Sequence, residues 1–220
     1  MKKYNIDDYD VFIFDFDGTI MDTEGFHYKS YLEALQYFEP NITLNQDDFF
    51  RLVHNIDKTE FHKLLKKHEI LDSYDKLYQI KSEYYKENIL RNYIKYIGNI
   101  DKFLPKLKKK GKKIIMVTNS SINSINLFKS VYPIMNLFDE IYTKEDFKEK
   151  KPNPECYLKV QEMYKDYRMI GFEDSNIGMH ALSQANLIKP IHILSPEYYY
   201  NDQIGKKNNV EVINNYDCFN

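Results

Sequence analysis

Short apolar runs alternate along the chain with segments of helical periodicity. The runs have the length and the Ile, Val and Phe content of strands. They are Val11–Phe14, Lys113–Val117, Glu140–Tyr142, Arg168–Phe172 and Pro190–Leu194. One more short strand is expected near Val210–Ile213. Because strands that alternate with helices indicate a parallel sheet covered on both faces, the pattern predicts an α/β fold.

The segment between the first two strands departs from this alternation. From about residue 24 to residue 93 no run resembles a strand, and apolar residues such as Tyr31 and Leu35 recur at helical spacing. A crossover between parallel strands needs only about a dozen residues, so the excess predicts an inserted, all-helical subdomain. The expected domains are an α/β core, 1–21 with 95–220, and a helical insert, 22–94.

Composition and charge narrow the classes of function. A hydrophobic share of 43% suffices for a core, and a net charge of −2 offers no basic surplus for nucleic acid. No run of about 18 apolar residues is present to span a membrane, and no signal-peptide pattern opens the chain. Cys156 and Cys218 match no metal spacing and are expected to be free thiols in a reducing compartment. We therefore expect a cytoplasmic protein without nucleic-acid or membrane partners.

Polar residues follow four of the expected strands at their carboxyl ends. The four groups are Asp15-Phe16-Asp17-Gly18-Thr19, Thr118-Asn119-Ser120-Ser121, Lys151-Pro152 and Glu173-Asp174-Ser175. In an open parallel sheet, ligands bind at the edge where the carboxyl ends of the strands meet. The four groups are therefore expected to face one place.

Such a convergence would place two acid pairs beside one ammonium group and one hydroxyl. Clustered carboxylates repel one another unless a cation neutralises them, and hard oxygen ligands favour Mg²⁺ over zinc. With Mg²⁺ bound, Lys151 and Thr118 would complete a clamp for a phosphoryl group. One acid of the first pair would attack phosphorus, and the other would protonate the leaving oxygen and later activate water.

At these residues the chain resembles the haloacid dehalogenase superfamily. The four signature motifs would be Asp15-x-Asp17-Gly18-Thr19, Thr118, Lys151-Pro152 and Glu173-Asp174. The resemblance covers essentially the whole chain, and it implies a Rossmann-like core with a helical cap at the position of the insert. The chain is most similar to the phosphatase and beta-phosphoglucomutase branch, in which Asp-Thr-Glu and a His follow the first motif, as Asp22-Thr23-Glu24 and His27 do here.

The resemblance implies a chemical role for each acid. Asp15 would be the nucleophile and a ligand of Mg²⁺. Asp17 would be the general acid and base, and its main-chain carbonyl would also bind Mg²⁺. Asp174 would bind the metal through its carboxylate, and Glu173 would act on it through water.

The resemblance also implies which residues hold the substrate. Thr118 and Asn119 would hold the transferring phosphoryl group, and Lys151 would pair with both Asp15 and the phosphate. His27 would reach the substrate from the first helix of the insert. The expected partner is a small-molecule phosphate ester, and the protein is expected to be a monomer or a weak dimer.

One stretch departs from the branch. The mutases carry a Gly and an Arg in a cap loop that grips a sugar phosphate, and the matching stretch here, residues 52–57, contains neither. Simple hydrolysis of a small phosphorylated metabolite is therefore the leading interpretation, with a phosphomutase and a non-catalytic regulator as alternatives. Asp17 separates the chain from the dehalogenase branch, which lacks an acid two residues after the nucleophile.

Plainer explanations exist for the individual motifs. Thr118 and the Glu173-Asp174 pair are also typical of helix N-termini, and Lys151 lies in a lysine-rich stretch where a solvated side chain is the simpler expectation. His27 is a lone histidine that would serve equally well in packing. A calcium loop that starts at Ile13 is a further alternative, although its first ligand position then lacks a carboxylate.

Overall fold

The computed structural model describes residues 3–53, 59–194 and 210–220. The chain splits into two compact units: Met1–Asp22 with Lys95–Asn220, and Thr23–Ile94. Residues 54–57, which belong to the stretch compared with the mutase cap loop, lie outside the described residues.

A sheet of six strands forms the core of the first unit. Neighbouring strands are all parallel, and their order is β3-β2-β1-β4-β5-β6. The strands are β1 (Val11–Phe14), β2 (Lys113–Val117), β3 (Glu140–Tyr142), β4 (Met169–Glu173), β5 (Ile188–Ile193) and β6 (Glu211–Ile213). The α/β fold with a Rossmann-like parallel sheet is thereby confirmed.

Helices cover both faces of the sheet. They are α5 (Ile100–Lys109), α6 (Ile122–Val131), α7 (Glu155–Met163) and α8 (Asn176–Leu182). Val11 and Ile13 of β1 belong to a buried cluster with residues of α7 and α8. Phe12 and Phe14 point to the opposite face, where their rings lie 5.9 and 6.3 Å from that of Phe103 in α5. Because successive side chains of a strand alternate between faces, an uninterrupted apolar run suits a strand that is covered on both sides.

The boundaries of β4 and β5 differ from those expected. β4 runs one residue further, so Glu173 is its last residue rather than the first of a loop. β5 begins at Ile188, which makes Pro190 an internal residue instead of a lead-in. Pro190 pairs with Gly171 of β4, whereas β6 pairs with β5 only from Ile191 onward. Within the described part of the chain, the residue without a backbone donor therefore lies where β5 pairs with a strand on one side only, which a sheet tolerates.

The described residues of the second unit, 23–53 and 59–94, form helices joined by turns and loops, with no strand among them. Its α-helices are α1 (Glu24–Phe38), α2 (Gln46–Val53), α3 (Thr59–Lys67) and α4 (Tyr74–Arg91). α1 packs against α4, and Tyr31 and Leu35, which indicated the helical period in the sequence, are buried. Such a helix pair is stabilised mainly by tertiary packing between its buried side chains.

The calcium-loop alternative is wrong, because Val11–Phe14 is a strand of the sheet where an EF-hand would need a helix. In the described ranges, none of the helices has both the length and the apolar character needed to cross a bilayer.

Candidate active site

The predicted site residues of the first unit meet at one edge of the sheet. β1 has β2 on one side and β4 on the other, so the connections leave β1 in opposite directions. Asp15 follows β1, Thr118 follows β2, and Asp174 follows Glu173 at the end of β4. A point where the strand order reverses opens a crevice at the carboxyl ends of the strands, and these side chains line it.

Lys151 ties three of the strand ends together. Its Nζ donates hydrogen bonds to Asp15 Oδ1 at 2.7 Å, to Glu173 Oε1 at 2.6 Å and to the carbonyl of Val117 at 2.8 Å. An ammonium group has three N–H donors, and each has a partner here. The side chain of Lys151 is only 4% exposed, so the expectation of a solvated lysine is wrong.

The electrostatics of this group are unbalanced, because two carboxylates share one ammonium. Burial, followed by repulsion from Glu173, raises the pKa of Asp15 to about 8 despite the stabilising effect of Lys151. Burial disfavours the charged form of Lys151, but attraction to Asp15 and Glu173 outweighs it and holds the pKa of the ammonium above its usual range. A buried group with surplus negative charge takes up either a proton or a cation.

The residues fit a hard divalent cation. Asp15, Glu173 and Asp174 each offer a carboxylate oxygen, and these oxygens lie within 4.8 Å of one another. Glu173 Oε2 is buried, and no hydrogen-bond partner for it exists among the described residues. Gly18 adopts a φ of +73°, and a Cβ there would come within 2.1 Å of Asp174 Oδ2. The turn after β1 thus leaves room for the carboxylate, and an oxygen-only set of this kind is typical of Mg²⁺ sites.

Asp17 lies beside this group, and its carboxylate points to the loop after β2. Its Oδ2 accepts a hydrogen bond from Ser120 Oγ at 2.5 Å, and the side chain is half-buried. The Asp17 carboxylate is therefore not one of the three carboxylates that lie together, which are those of Asp15, Glu173 and Asp174. Its contribution to metal binding through the main-chain carbonyl stays a prediction. Sequence reasoning did not single out Ser120, although the hydroxyl-rich loop after β2 was a signal that could have identified it.

Thr118 is buried, and its position is explained by the loop rather than by a helix end. Its Oγ1 accepts the N–H of Ser120 at 2.9 Å, and its own N–H donates to the carbonyl of Tyr142 at 2.9 Å. The N-cap of α6 is Ser121, whose hydroxyl accepts the N–H of Ser124. The N-cap explanation for Thr118 is therefore wrong.

Glu173 and Asp174, at the end of β4, are likewise not capping residues. Ser175 caps α8 by accepting the N–H of Gly178. A Cβ at Gly178 would lie 1.9 Å from Glu173 Oε2, so glycine makes space for that carboxylate. Asp174 Oδ1 accepts a hydrogen bond from Thr19 Oγ1 at 3.3 Å. Glu173 Oε1 therefore contacts Lys151 and Asp174 Oδ1 contacts the β1 loop, and Ser175 rather than either acid caps α8.

Asn119 joins two loops through its side-chain amide. Its Oδ1 accepts the N–H of Lys151 at 3.1 Å, and its Nδ2 donates to the Lys151 carbonyl at 3.2 Å. The amide makes the same pair of hydrogen bonds that a neighbouring strand would make, and it thereby fixes the main chain of Lys151 beside the loop after β2. A contact from Asn119 to a phosphoryl group, which stays a prediction, is consequently expected from its main-chain N–H.

Tyr157 is a component of the site that sequence reasoning missed. It lies on α7 with no exposed surface, and its hydroxyl donates to Glu173 Oε1 at 2.5 Å. Its ring centroid lies 5.0 Å from the Nζ of Lys151, within the range of a cation–π contact. In the sequence Tyr157 falls in the apolar pattern of a helix, so no local signal separates it from an ordinary core residue.

His27 lies in the helical unit, on α1. Its Nδ1 is 2.8 Å from the Nζ of Lys81, and its ring stacks on Tyr85 with centroids 4.2 Å apart. The Lys81 ammonium also lies 4.5 Å from the Tyr85 ring and is buried. His27 therefore has packing partners within its own unit, and a substrate contact stays a prediction. Lys81 was missed because its partner is 54 residues away in sequence.

Comparison with known proteins identifies the family. The model of the haloacid dehalogenase-like hydrolases matches residues 12–189. A phosphorylated carbohydrates phosphatase of Thermotoga maritima is 25% identical over 179 residues, which cover 80% of this chain and 81% of that protein.

Solved structures show the same fold. A HAD hydrolase of Entamoeba histolytica aligns with a TM-score of 0.77 at 23% identity, covering 93% of this chain and 92% of its own. A beta-phosphoglucomutase of Clostridium difficile aligns with a TM-score of 0.71 at 23% identity, covering 94% and 91%. The chain therefore belongs to the haloacid dehalogenase-like hydrolases.

Proposed function

We propose that the protein is a Mg²⁺-dependent phosphatase that hydrolyses a small phosphorylated metabolite through an aspartyl phosphate on Asp15. The observation that carries the proposal is the buried contact between Lys151 and Asp15 beside the three-carboxylate group. The ammonium group orients the carboxylate at the carboxyl ends of the strands for attack on an incoming phosphorus.

In the first step, a carboxylate oxygen of Asp15 forms a bond to phosphorus, and the bond from phosphorus to the ester oxygen breaks. Asp17 gives a proton to the departing alkoxide. In the second step, Asp17 takes a proton from water, and the water oxygen attacks the phosphorus of the aspartyl phosphate. Inorganic phosphate leaves, and the Asp15 carboxylate is restored. The hydrogen bond from Ser120 to Asp17 keeps that carboxylate beside the loop after β2.

Two side chains would stabilise the charge of the transferring group. Lys151 is a buried cation next to the nucleophile, and Thr118 brings a buried hydroxyl from the neighbouring strand. Donors that are fixed in a poorly hydrated place stabilise a developing negative charge more strongly than water does. The main chain around Asn119 would complete this set of contacts.

The metal ligands in this proposal are Asp15, Asp174 and the main-chain carbonyl of Asp17, with Glu173 acting directly or through water. When bound, Mg²⁺ supplies the positive charge that allows these carboxylates to stay ionised beside a phosphate. Zinc is disfavoured, since the group offers carboxylate oxygens and neither thiolate nor imidazole.

The substrate is inferred only at the level of its class. The similarity to a phosphorylated carbohydrates phosphatase supports a sugar phosphate or a molecule of similar size. We propose that the helical unit is the cap of this fold and that His27, with Lys81, contributes to substrate binding. The protein would act in the cytoplasm as a monomer or a weak dimer.

The test is turnover of a chromogenic phosphate ester with Mg²⁺. We expect Asp15→Asn to abolish hydrolysis, because an amide does not attack phosphorus. Asp10→Asn is the matched control at the other end of β1, where Asp10 pairs with Arg168 near the surface, and it should retain activity. Undiminished turnover by Asp15→Asn would end the assignment of the nucleophile.

A second substrate separates the phosphatase from the phosphomutase alternative. With beta-glucose 1-phosphate, a phosphatase releases inorganic phosphate. Glucose 6-phosphate without free phosphate would instead indicate a mutase, and absence of turnover across a broad panel of phosphate esters would favour a non-catalytic regulator.

A further inference from the structure

Tyr157, Glu173 and Lys151 form a buried hydrogen-bonded group that we call the buried triad. Glu173 Oε1 accepts two hydrogen bonds, one from the Tyr157 hydroxyl at 2.5 Å and one from the Lys151 ammonium at 2.6 Å. Glu173 is fully buried, and Lys151 and Tyr157 are nearly or fully so. The Tyr157 hydroxyl thus donates a second hydrogen bond to a carboxylate oxygen that already accepts one from Lys151.

The two hydrogen bonds to Glu173 Oε1 matter because all three N–H groups of the Lys151 ammonium already have acceptors. Its three N–H groups are used by Asp15, Glu173 and the carbonyl of Val117. A phosphoryl oxygen therefore reaches the ammonium only if one of these contacts is given up. Leaving a buried carboxylate oxygen without a donor is costly. Of the two carboxylates, Glu173 is the one whose bonded oxygen keeps a second donor, Tyr157, when Lys151 turns away.

We propose that Tyr157 is a positioning residue that keeps Glu173 hydrogen-bonded while Lys151 exchanges its contact with Glu173 for one with a phosphoryl oxygen. The inference rests on the proposed function, since it concerns how that site binds phosphate. Tyr157 itself acts through Glu173 and Lys151 and does not touch the reacting atoms.

Tyr157→Phe is the direct test, because it removes the hydroxyl and retains the ring beside Lys151. Without the hydroxyl, Glu173 Oε1 depends on Lys151 alone, and the ammonium is held away from the phosphate. We expect the affinity for inorganic phosphate and kcat/KM to fall by roughly 10- to 100-fold, the range for one hydrogen bond to a charged group. Phosphate affinity is measured with Mg²⁺ from the phosphate-dependent rise in melting temperature, which needs no turnover.

A second group of the same chemistry supplies the control. Tyr164 donates to Glu140 Oε1 at 2.5 Å, and the same oxygen lies 2.8 Å from Lys113 Nζ. The Lys113 ammonium lies 5.8 Å from the Tyr164 ring. This edge triad, at strands β2 and β3, has no part in the site. Tyr164→Phe should therefore leave the phosphate affinity unchanged, whatever it does to stability.

A double-mutant cycle distinguishes positioning from a general structural effect. Once Glu173→Gln has removed the charge that retains Lys151, adding Tyr157→Phe should change phosphate affinity by less than about twofold. Additive effects of the two substitutions would overturn the proposal, and so would unchanged phosphate affinity in Tyr157→Phe. A wild-type protein that neither binds nor releases phosphate would instead contradict the proposed function.

Discussion

The same three residue types, a tyrosine, a glutamate and a lysine, form two triads in the α/β unit, with different surroundings. In the edge triad the side chains of Lys113 and Glu140 are 34% and 29% exposed. Although burial opposes it, the hydrogen bonds from Lys113 and two tyrosines hold the pKa of Glu140 below its ordinary value. The hydrogen bond to Glu140 raises the pKa of Lys113. This is the behaviour of a simple surface ion pair.

In the buried triad the corresponding exposures of Lys151 and Glu173 are 4% and 0%, and a second carboxylate, Asp15, joins the lysine. Here a carboxyl pKa moves upward rather than downward, to about 8 for Asp15. The residue types of the triad alone therefore do not create a cation site. Burial and one additional carboxylate give the buried triad an excess of negative charge, which a bound cation would neutralise.

The largest difference between the triads is expected when the lysine is removed. Lys151→Met leaves Asp15 and Glu173 facing each other without a counter-charge, and breaking a buried ion pair costs about 3–5 kcal/mol. Activity should fall by at least about 10³-fold, since the substitution also removes a charge beside the phosphoryl group. Lys113→Met should cost at most about 1 kcal/mol, as measured by urea unfolding in metal-free buffer. Equal losses in the free energy of unfolding for Lys151→Met and Lys113→Met would contradict the difference proposed between the two triads.

A smaller but qualitative difference is expected in the pH dependence of stability. Asp15 has a raised pKa in the folded protein, so the native state binds a proton that the unfolded state has lost. The stabilisation by protonated Asp15 is complete at low pH and disappears as the pH rises through about 8. Glu140 has a lowered pKa, so its contribution is present above its ordinary pKa and disappears as the pH falls further.

The measurement is the free energy of unfolding in chelator between about pH 5 and pH 8. Asp15→Asn should flatten the decline that the wild type shows across this window. Glu140→Gln should lower stability by a constant amount across this window and so leave that decline in place, and its difference from the wild type should shrink only in more acidic buffer. A wild-type protein whose stability rises from pH 5 to pH 8 in the absence of metal would contradict the assignment to Asp15.

Much of the fold was predictable because its determinants are local. The runs at Val11–Phe14 and Ile114–Val117 are apolar without interruption, and both lie in strands with a neighbour on each side. Parallel strands share one carboxyl edge, which is why Asp15, Thr118 and Asp174 were expected to meet there. The order of strands across the sheet was not predictable, since it depends on pairing between segments far apart in sequence.

The parts of the site that escaped prediction depend on tertiary contacts. Tyr157 resembles any buried residue of an amphipathic helix until α7 is seen to place its hydroxyl on Glu173. Ser120 and Lys81 likewise acquire meaning only through partners 103 and 54 residues away. Residue type and spacing indicated which groups carry the chemistry, whereas the side chains that hold those groups in place became visible only in three dimensions.

The most direct test of the mechanism is to trap the phosphorylated enzyme. Asp17→Asn removes the base that activates water, and an aryl phosphate supplies a leaving group that needs no proton. Acid-quenched samples of this variant should carry a phosphoryl group on the peptide that contains Asp15, found by mass spectrometry, and the group should be absent when Asp15 is also changed to Asn. A phosphoryl group on another residue, or ester cleavage without any phosphorylated protein, would contradict covalent catalysis by Asp15.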